Sequence, residues 1–325
     1  MKMENKNNNN KNNNDSFGEI RKGFSDGLMY SSGKNENIVV LCADLTKSIK
    51  ADEFAKTYPK RFFEMGISEQ NMLMAACGMT SNDKIPFALS YAAFNPGRNW
   101  DQLRNGACYS KLNVKIIGGH AGLTTGPDGA THQMLEDIAI TRVIPNLVVV
   151  VPCDEEETKK ATIAISEIKK PCYLRLSREK SINITSKDSF FEIGKANVID
   201  GGNDITIIAC GICVGFAINA RKILLSDHGI SAEVINMHTI KPLDENTILE
   251  SVKKTGLVIT IEEHQINGGM GSAVCEFLSD KYPVKIKRLG MNDSFGESGN
   301  GYELLEKYGI STDKIVEAVL EMIKK

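Results

Sequence analysis

Long apolar runs are missing from this sequence. No stretch approaches the roughly twenty residues that cross a bilayer as a helix, and the N-terminus lacks the hydrophobic segment of a secretory signal. The expectation is a cytoplasmic protein with no membrane partner. An excess of one charge is missing too: 39 basic against 41 acidic residues leave a formal charge of −2. Such a balance offers nucleic acid no general electrostatic footprint, so no nucleic-acid partner is expected and any phosphate recognition must be local. A secreted disulfide framework is not indicated either. Most of the eight cysteines sit in apolar runs such as Val40-Leu41-Cys42 and Ala76-Cys77-Gly78, which reads as buried thiols. Cys210-Gly211-Ile212-Cys213 has redox or zinc-knuckle spacing, but no second pair accompanies it, and the structural reading is preferred. No short internal repeat is visible.

What is present is a globular chain of 325 residues, 42% hydrophobic and 25% charged, long enough for two domains. Residues 1–15 are rich in lysine and asparagine and carry too little apolar surface to offset the entropy of ordering, so they are expected to be a disordered tail. From Phe17 onward, helical periodicity near 17–32, 68–80, 97–110, 131–141 and 154–168 alternates with β-branched runs at 38–41, 85–88, 114–117, 147–150 and 173–176. Short, continuously apolar strands separated by helices indicate parallel sheet covered on both faces. Asp154 is a good N-cap for the last of these helices, and Glu155, Glu156 and Glu157 suit its positive dipole end. The pattern lapses in a polar stretch, then resumes with strands near 205–209, 233–235, 257–261 and 284–286. The expected fold is α/β, in two domains that are each a mostly parallel sheet flanked by helices: 16–180, a linker at 181–194, and 195–325.

The densest chemical signal runs from Gly119 to Gln133. His120, Asp128 and His132 lie eight and four residues apart in a loop that also holds Gly122, Gly126 and Gly129. Glycine lets backbone approach a ligand, and histidine trades protons near neutral pH. An active-site rim and a long surface connection both fit that stretch taken alone. Glu262-Glu263-His264 looks like a metal or acid/base cluster, but neighbours on a strand point to opposite faces and no second ligand pair follows. These three read as interface or structural residues. Gly268-Gly269-Met270-Gly271 opens a helix and could bind an anion, though it lacks the full dinucleotide fingerprint.

Taken in order, Arg21-Lys22-Gly23-Phe24-Ser25, Ala43-Asp44-Leu45-Thr46-Lys47-Ser48, Gly66-Ile67-Ser68-Glu69-Gln70-Asn71-Met72, the His120–Gln133 loop and Leu176-Ser177-Arg178 resemble the pyrimidine-binding domain of thiamine-diphosphate-dependent transketolases. The second half resembles the family's C-terminal domain, in Glu262–Gly269 and in Asn292–Gly299. The family holds the cofactor's diphosphate and its Mg2+ through a Gly-Asp-Gly sequence in a separate N-terminal domain, and no Gly-Asp-Gly occurs here. The chain therefore resembles the C-terminal subunit of a split transketolase, inactive without an N-terminal partner subunit and expected in an α2β2 heterotetramer.

The resemblance implies roles for particular residues. Glu69 would meet N1′ of the aminopyrimidine, where a buried carboxyl can hold a proton at neutral pH and bond a weakly basic ring nitrogen. Tyr91 and Phe94 would flank that ring, and Asp44 would add a cofactor contact. His132 would face the reacting carbonyl and Asp128 a hydroxyl, with Arg21, Ser48, His120 and Arg178 at the phosphate end of a sugar phosphate. Arginine suits this end because its planar fork makes charge-assisted bonds to phosphate. The stretch Asn95-Pro96-Gly97-Arg98-Asn99-Trp100 departs from the longer single-chain enzymes, which carry another aromatic near Gly97, so one wall of the ring pocket stays open in this reading. The implied activity is transfer of a two-carbon ketol unit from a ketose phosphate to an aldose phosphate. Alternatives are the β-subunit of a 2-oxo acid dehydrogenase and a non-catalytic partner subunit of the same fold.

Overall fold

The β-branched runs fold as strands buried on both faces. In Ile38–Cys42, Ile38, Val40 and Cys42 join one apolar core while Val39 and Leu41 join another on the opposite side, as the two-residue period of a strand requires. Each such side chain removed from water contributes about 1.5–3 kcal/mol. The computed structural model describes residues 16–324; the tail expected at 1–15 lies outside the described residues.

The first unit contains β1 (Phe17–Glu19), α1 (Ile20–Lys34), β2 (Ile38–Cys42), α2 (Asp52–Thr57), β3 (Phe62–Glu64), α3 (Glu69–Met79) and β4 (Ile85–Tyr91). A π-helix, Gln102–Tyr109, leads to β5 (Lys115–Gly119), α4 (Asp137–Arg142), β6 (Val148–Val150), α5 (Glu155–Glu167), β7 (Cys172–Arg175) and β8 (Lys180–Ile182). The second contains β9 (Asn197–Asp200), β10 (Ile205–Ala209), α6 (Cys213–His228), β11 (Ala232–Asn236), β12 (Thr239–Lys241) and α7 (Glu245–Thr255). It continues with β13 (Leu257–Gln265), α8 (Met270–Lys281), β14 (Lys285–Met291), α9 (Gly301–Lys307) and α10 (Thr312–Ile323).

Seven strands form a sheet in the order β12-β6-β7-β5-β4-β2-β3, parallel except for β12, and five form another in the order β14-β13-β10-β11-β9, parallel except for β9. The two units are therefore tied together, because β12 comes from the second half of the chain and closes the edge of the first sheet against β6. The segment expected as a linker also begins inside structure: Ser181 and Ile182 belong to β8, which pairs antiparallel with β1. β1 in turn takes Phe17–Glu19 out of the helix expected at 17–32. Asp154 caps α5, accepting from the Glu157 amide at 2.9 Å. The helix expected over 131–141 starts only at Asp137, since Gln133 is held by tertiary bonds and residues 129–133 by local turn bonds instead.

Cys210 and Cys213 are buried free thiols pushed well above the ordinary thiol range by burial, which suits packing and not redox exchange. The glycine-rich opening of α8 is filled by the chain itself. The Met270 and Gly271 amides donate to the two carboxylate oxygens of Glu262 at 2.7 and 2.8 Å, so that side chain already occupies the place an anion would take.

Candidate active site

The carboxyl ends of β2, β4, β5 and β7 lie side by side, and open parallel sheets bind ligands at that edge. Asp44 follows β2, Tyr91 ends β4, His120 follows β5 and Arg178 follows β7. Glu69 is the first residue of α3 and is 1% exposed. One carboxylate oxygen accepts from the Ser90 hydroxyl at 3.3 Å and the other from the Arg98 guanidinium at 2.9 Å. The Asn99 amide, donating to the Glu69 carbonyl at 3.2 Å, joins the turn after β4 to the start of α3.

From this carboxylate a row of rings runs across the strand ends. Phe94 and Tyr91 have centroids 6.2 Å apart, and Tyr91 stacks on His120 at 3.9 Å. His132 meets Phe94 edge-on at 5.4 Å. At the far end Arg21 donates to the Ser48 carbonyl at 2.8 Å and to the Arg178 carbonyl at 3.0 Å. Arg178 lies 3.7 Å from Asp128. Nine of the ten residues singled out in the sequence thus fall along this row and its two ends. The tenth, Asp44, sits at the same sheet edge, but its side chain is exposed and only its backbone amide is engaged, donating to Glu64 at 2.7 Å.

Electrostatics mark the far end as a place for an anion. Burial pulls the Arg21 guanidinium below its ordinary value, with Glu19 opposing and Arg178 reinforcing the effect. Burial, and then the charges of Arg21, Arg178 and His132, push His120 down to about 3, leaving its ring neutral. Arg21 Nε and His120 Nδ1 are buried with no hydrogen-bond partner among the described residues. Unpaired buried polar atoms of this kind call for a ligand or water, and an anion accepting from Arg21 Nε would relieve both its lost hydrogen bond and the repulsion from Arg178. His120 also holds φ at 52°, a left-handed conformation unusual for a residue other than glycine. At the opposite end, the buried carboxylate beside Phe94 and Tyr91 suits a flat nitrogen heterocycle, and these residues fit the aminopyrimidine of thiamine diphosphate.

The loop between the two histidines is braced from beneath by residues that sequence reading did not assign to the site. Glu263 accepts from the Thr124 amide at 2.6 Å, and its other oxygen lies 3.6 Å from Arg175, which also bonds Asp137 at 2.8 Å. Burial raises the Glu263 carboxyl, with Arg175 opposing. Gly122 is required above it, since a Cβ there would come 2.3 Å from the Glu263 carboxyl carbon, and its φ is +84°. Gly129 also passes close over Ser298, with a Cβ position 2.6 Å from the hydroxyl and φ of +77°. Among the described residues no group of three or more His, Cys, Asp or Glu side chains converges as a metal site. No described helix is long and apolar enough to cross a membrane.

Family models match nearly all of the described chain: the transketolase pyrimidine binding domain over residues 19–182 and the transketolase C-terminal domain over 194–315. The chain belongs to the transketolase family. A protein of Methanocaldococcus jannaschii, described provisionally as a transketolase C-terminal section, is 46% identical over 309 residues, covering 94% of this chain and 96% of that protein. The 6-deoxy-6-sulfo-D-fructose transketolase subunit SqwH of a Clostridium species is 38% identical over 306 residues, with 94% and 95% covered. Among solved structures, a split gene transketolase described as an inactive beta4 tetramer superposes with a TM-score of 0.88 at 44% identity, covering 94% of this chain and 99% of that one. These two relatives and this structure, covered over 95–99% of their own length, are a section, a subunit and a split-gene chain of divided transketolases, which implies an N-terminal partner subunit and a multimeric assembly. Membership also implies use of thiamine diphosphate.

Proposed function

We propose that this chain is the C-terminal subunit of a two-chain transketolase that moves a two-carbon ketol unit from a ketose phosphate to an aldose phosphate. The observation that carries the reading is the row Phe94–Tyr91–His120, which joins a buried carboxylate at one end to two arginines at the other. Thiamine diphosphate would lie between this chain's first unit and the partner subunit, whose Gly-Asp-Gly segment would hold the diphosphate and Mg2+. An α2β2 heterotetramer satisfies that division.

When bound, the cofactor supplies a nucleophilic carbon and an electron sink for carbon–carbon cleavage. The protein's part is binding and proton control. Glu69 shares a proton with the ring nitrogen, as a carboxyl withdrawn from water is suited to do. Tyr91 and Phe94 flank the ring, and Asp44 adds a further cofactor contact. His132 faces the reacting carbonyl, Asp128 reads a sugar hydroxyl, and Arg21, Ser48, His120 and Arg178 receive the terminal anion. His120, neutral in the free chain, acts at that end as a hydrogen-bonding group.

The chain mixed with its partner, thiamine diphosphate and Mg2+ should convert xylulose 5-phosphate and ribose 5-phosphate into their transfer products. A complex that leaves both sugars untouched and decarboxylates a 2-oxo acid contradicts the reading.

A further inference from the structure

Arg98 sits where the family resemblance leaves one wall of the ring pocket open. Its guanidinium donates to Glu69 at 2.9 Å and lies 4.3 Å from the centroid of the Phe94 ring. Its backbone is held in place: the amide donates to the Phe94 carbonyl at 3.0 Å, and its own carbonyl accepts from Gln70 at 3.3 Å. The side chain is different, being 46% exposed where that of Glu69 is 1% exposed. One partner of the ion pair is buried and the other reaches it from the rim.

A guanidinium is planar, presents N–H groups along its edge and stacks on aromatic faces. A protonated or hydrogen-bonding aminopyrimidine offers the same two features, a flat face and a nitrogen-bearing edge. Both Glu69 oxygens are engaged, one by Ser90 and one by Arg98, and the Phe94 face is covered. A ring that takes over the bond Arg98 makes to Glu69, and packs on the Phe94 face beneath it, takes the place of the guanidinium.

We propose that Arg98 is a displaceable placeholder in the cofactor's ring site, an inference that rests on reading Glu69 and Phe94 as that site. In the free chain it keeps the buried carboxylate paired, because a buried charge stripped of its partner is strongly unfavourable. On cofactor binding it yields both the carboxylate and the aromatic face and turns toward solvent. The fixed backbone keeps it close, so the ion pair re-forms when the cofactor leaves.

The test is calorimetric titration of thiamine diphosphate, with Mg2+, into the complete two-subunit complex carrying wild-type chain, Arg98→Ala or Arg98→Lys. Removing the occupant should tighten binding in Arg98→Ala by about tenfold, the scale of one charge-assisted hydrogen bond no longer exchanged. Arg98→Lys, which keeps the charge but not the planar fork, should fall between Arg98→Ala and wild type. A residue that only walls the pocket or supports the fold would weaken binding when truncated, so equal or weaker binding by Arg98→Ala overturns the proposal while leaving the cofactor site itself in place. Failure of the wild-type complex to bind the cofactor overturns the reading of the site and the proposal together.

Discussion

Gln133 donates through Nε2 to the carbonyl of Glu297 at 2.9 Å, across 164 residues of sequence. The same amide nitrogen lies 3.3 Å from the Leu123 carbonyl and 3.2 Å from that of Gly126. One buried side chain therefore holds the loop that carries Asp128 and His132 against the second half of the chain, which gives the C-terminal unit a part in shaping the site. Gln133→Ala should remove about 1–3 kcal/mol of stability, because the Leu123 and Glu297 carbonyls lose their bond from this side chain. It should also raise KM for sugar phosphates. Chemical denaturation and steady-state kinetics on the assembled enzyme check both, and unchanged KM would separate the loop's anchoring from substrate binding.

Glu69→Gln should leave the fold intact and largely abolish turnover, because an amide cannot pass a carboxyl proton to the ring nitrogen. The readout is hydrogen–deuterium exchange at C2 of the bound cofactor. Exchange as fast as in wild type would remove Glu69 from this role.

Arg178→Ala should raise KM for phosphorylated sugars by a factor equivalent to about 1.5–3 kcal/mol, the scale of hydrogen bonds to charged groups, with little effect on unphosphorylated analogues. Arg178 also donates to the Thr125 carbonyl at 2.5 Å, so a purely structural role is the competing outcome. Equal losses on both substrate types would demonstrate it.

His120 should leave a signature in the pH dependence of stability. Its folded value is pushed down to about 3 from an ordinary 6.5, by burial first and then by Arg21, Arg178 and His132. As pH falls below 6.5 the unfolded chain takes up a proton that the folded chain refuses, so this group's contribution is lost progressively between 6.5 and 3. At pH 5 the loss should reach roughly 2 kcal/mol. Glu157, raised to about 7 by burial, works in the opposite sense over part of this window. The comparison is therefore wild type against His120→Asn at each pH. The variant should lose less stability between pH 7 and pH 5, and parallel curves would show that His120 does not titrate as described.

Much of the architecture was legible because parallel strands covered on both faces read as continuous β-branched runs. Ile38–Cys42 and Ile205–Ala209 stand out on composition alone. The short strands β3, β9 and β12 did not, since three or four residues at a sheet edge carry no periodicity and owe their conformation to the neighbour they pair with. Likewise 131–136 has helical spacing, yet tertiary bonds from Gln133 keep it out of α4. In the site, Glu69, Tyr91 and the two histidines announced themselves by motif. Arg98 did not, and Glu263 stood out only as an interface or structural residue. A rim arginine looks like any solvated charge, and a buried glutamate beneath a loop is recognisable only once the fold brings Thr124, Arg175 and Gly122 over it.

The central claim is that this chain holds only the ring and sugar ends of a site that a second polypeptide completes. Calorimetric titration of thiamine diphosphate, in the presence of Mg2+, into the isolated chain and into the chain mixed with its N-terminal partner tests it most directly. The account predicts weak or no binding to the isolated chain, because its sequence has no Gly-Asp-Gly to hold the cation that neutralises the diphosphate, and tight binding once the partner is added. Sub-micromolar affinity of the isolated chain, unchanged by the partner, would contradict it.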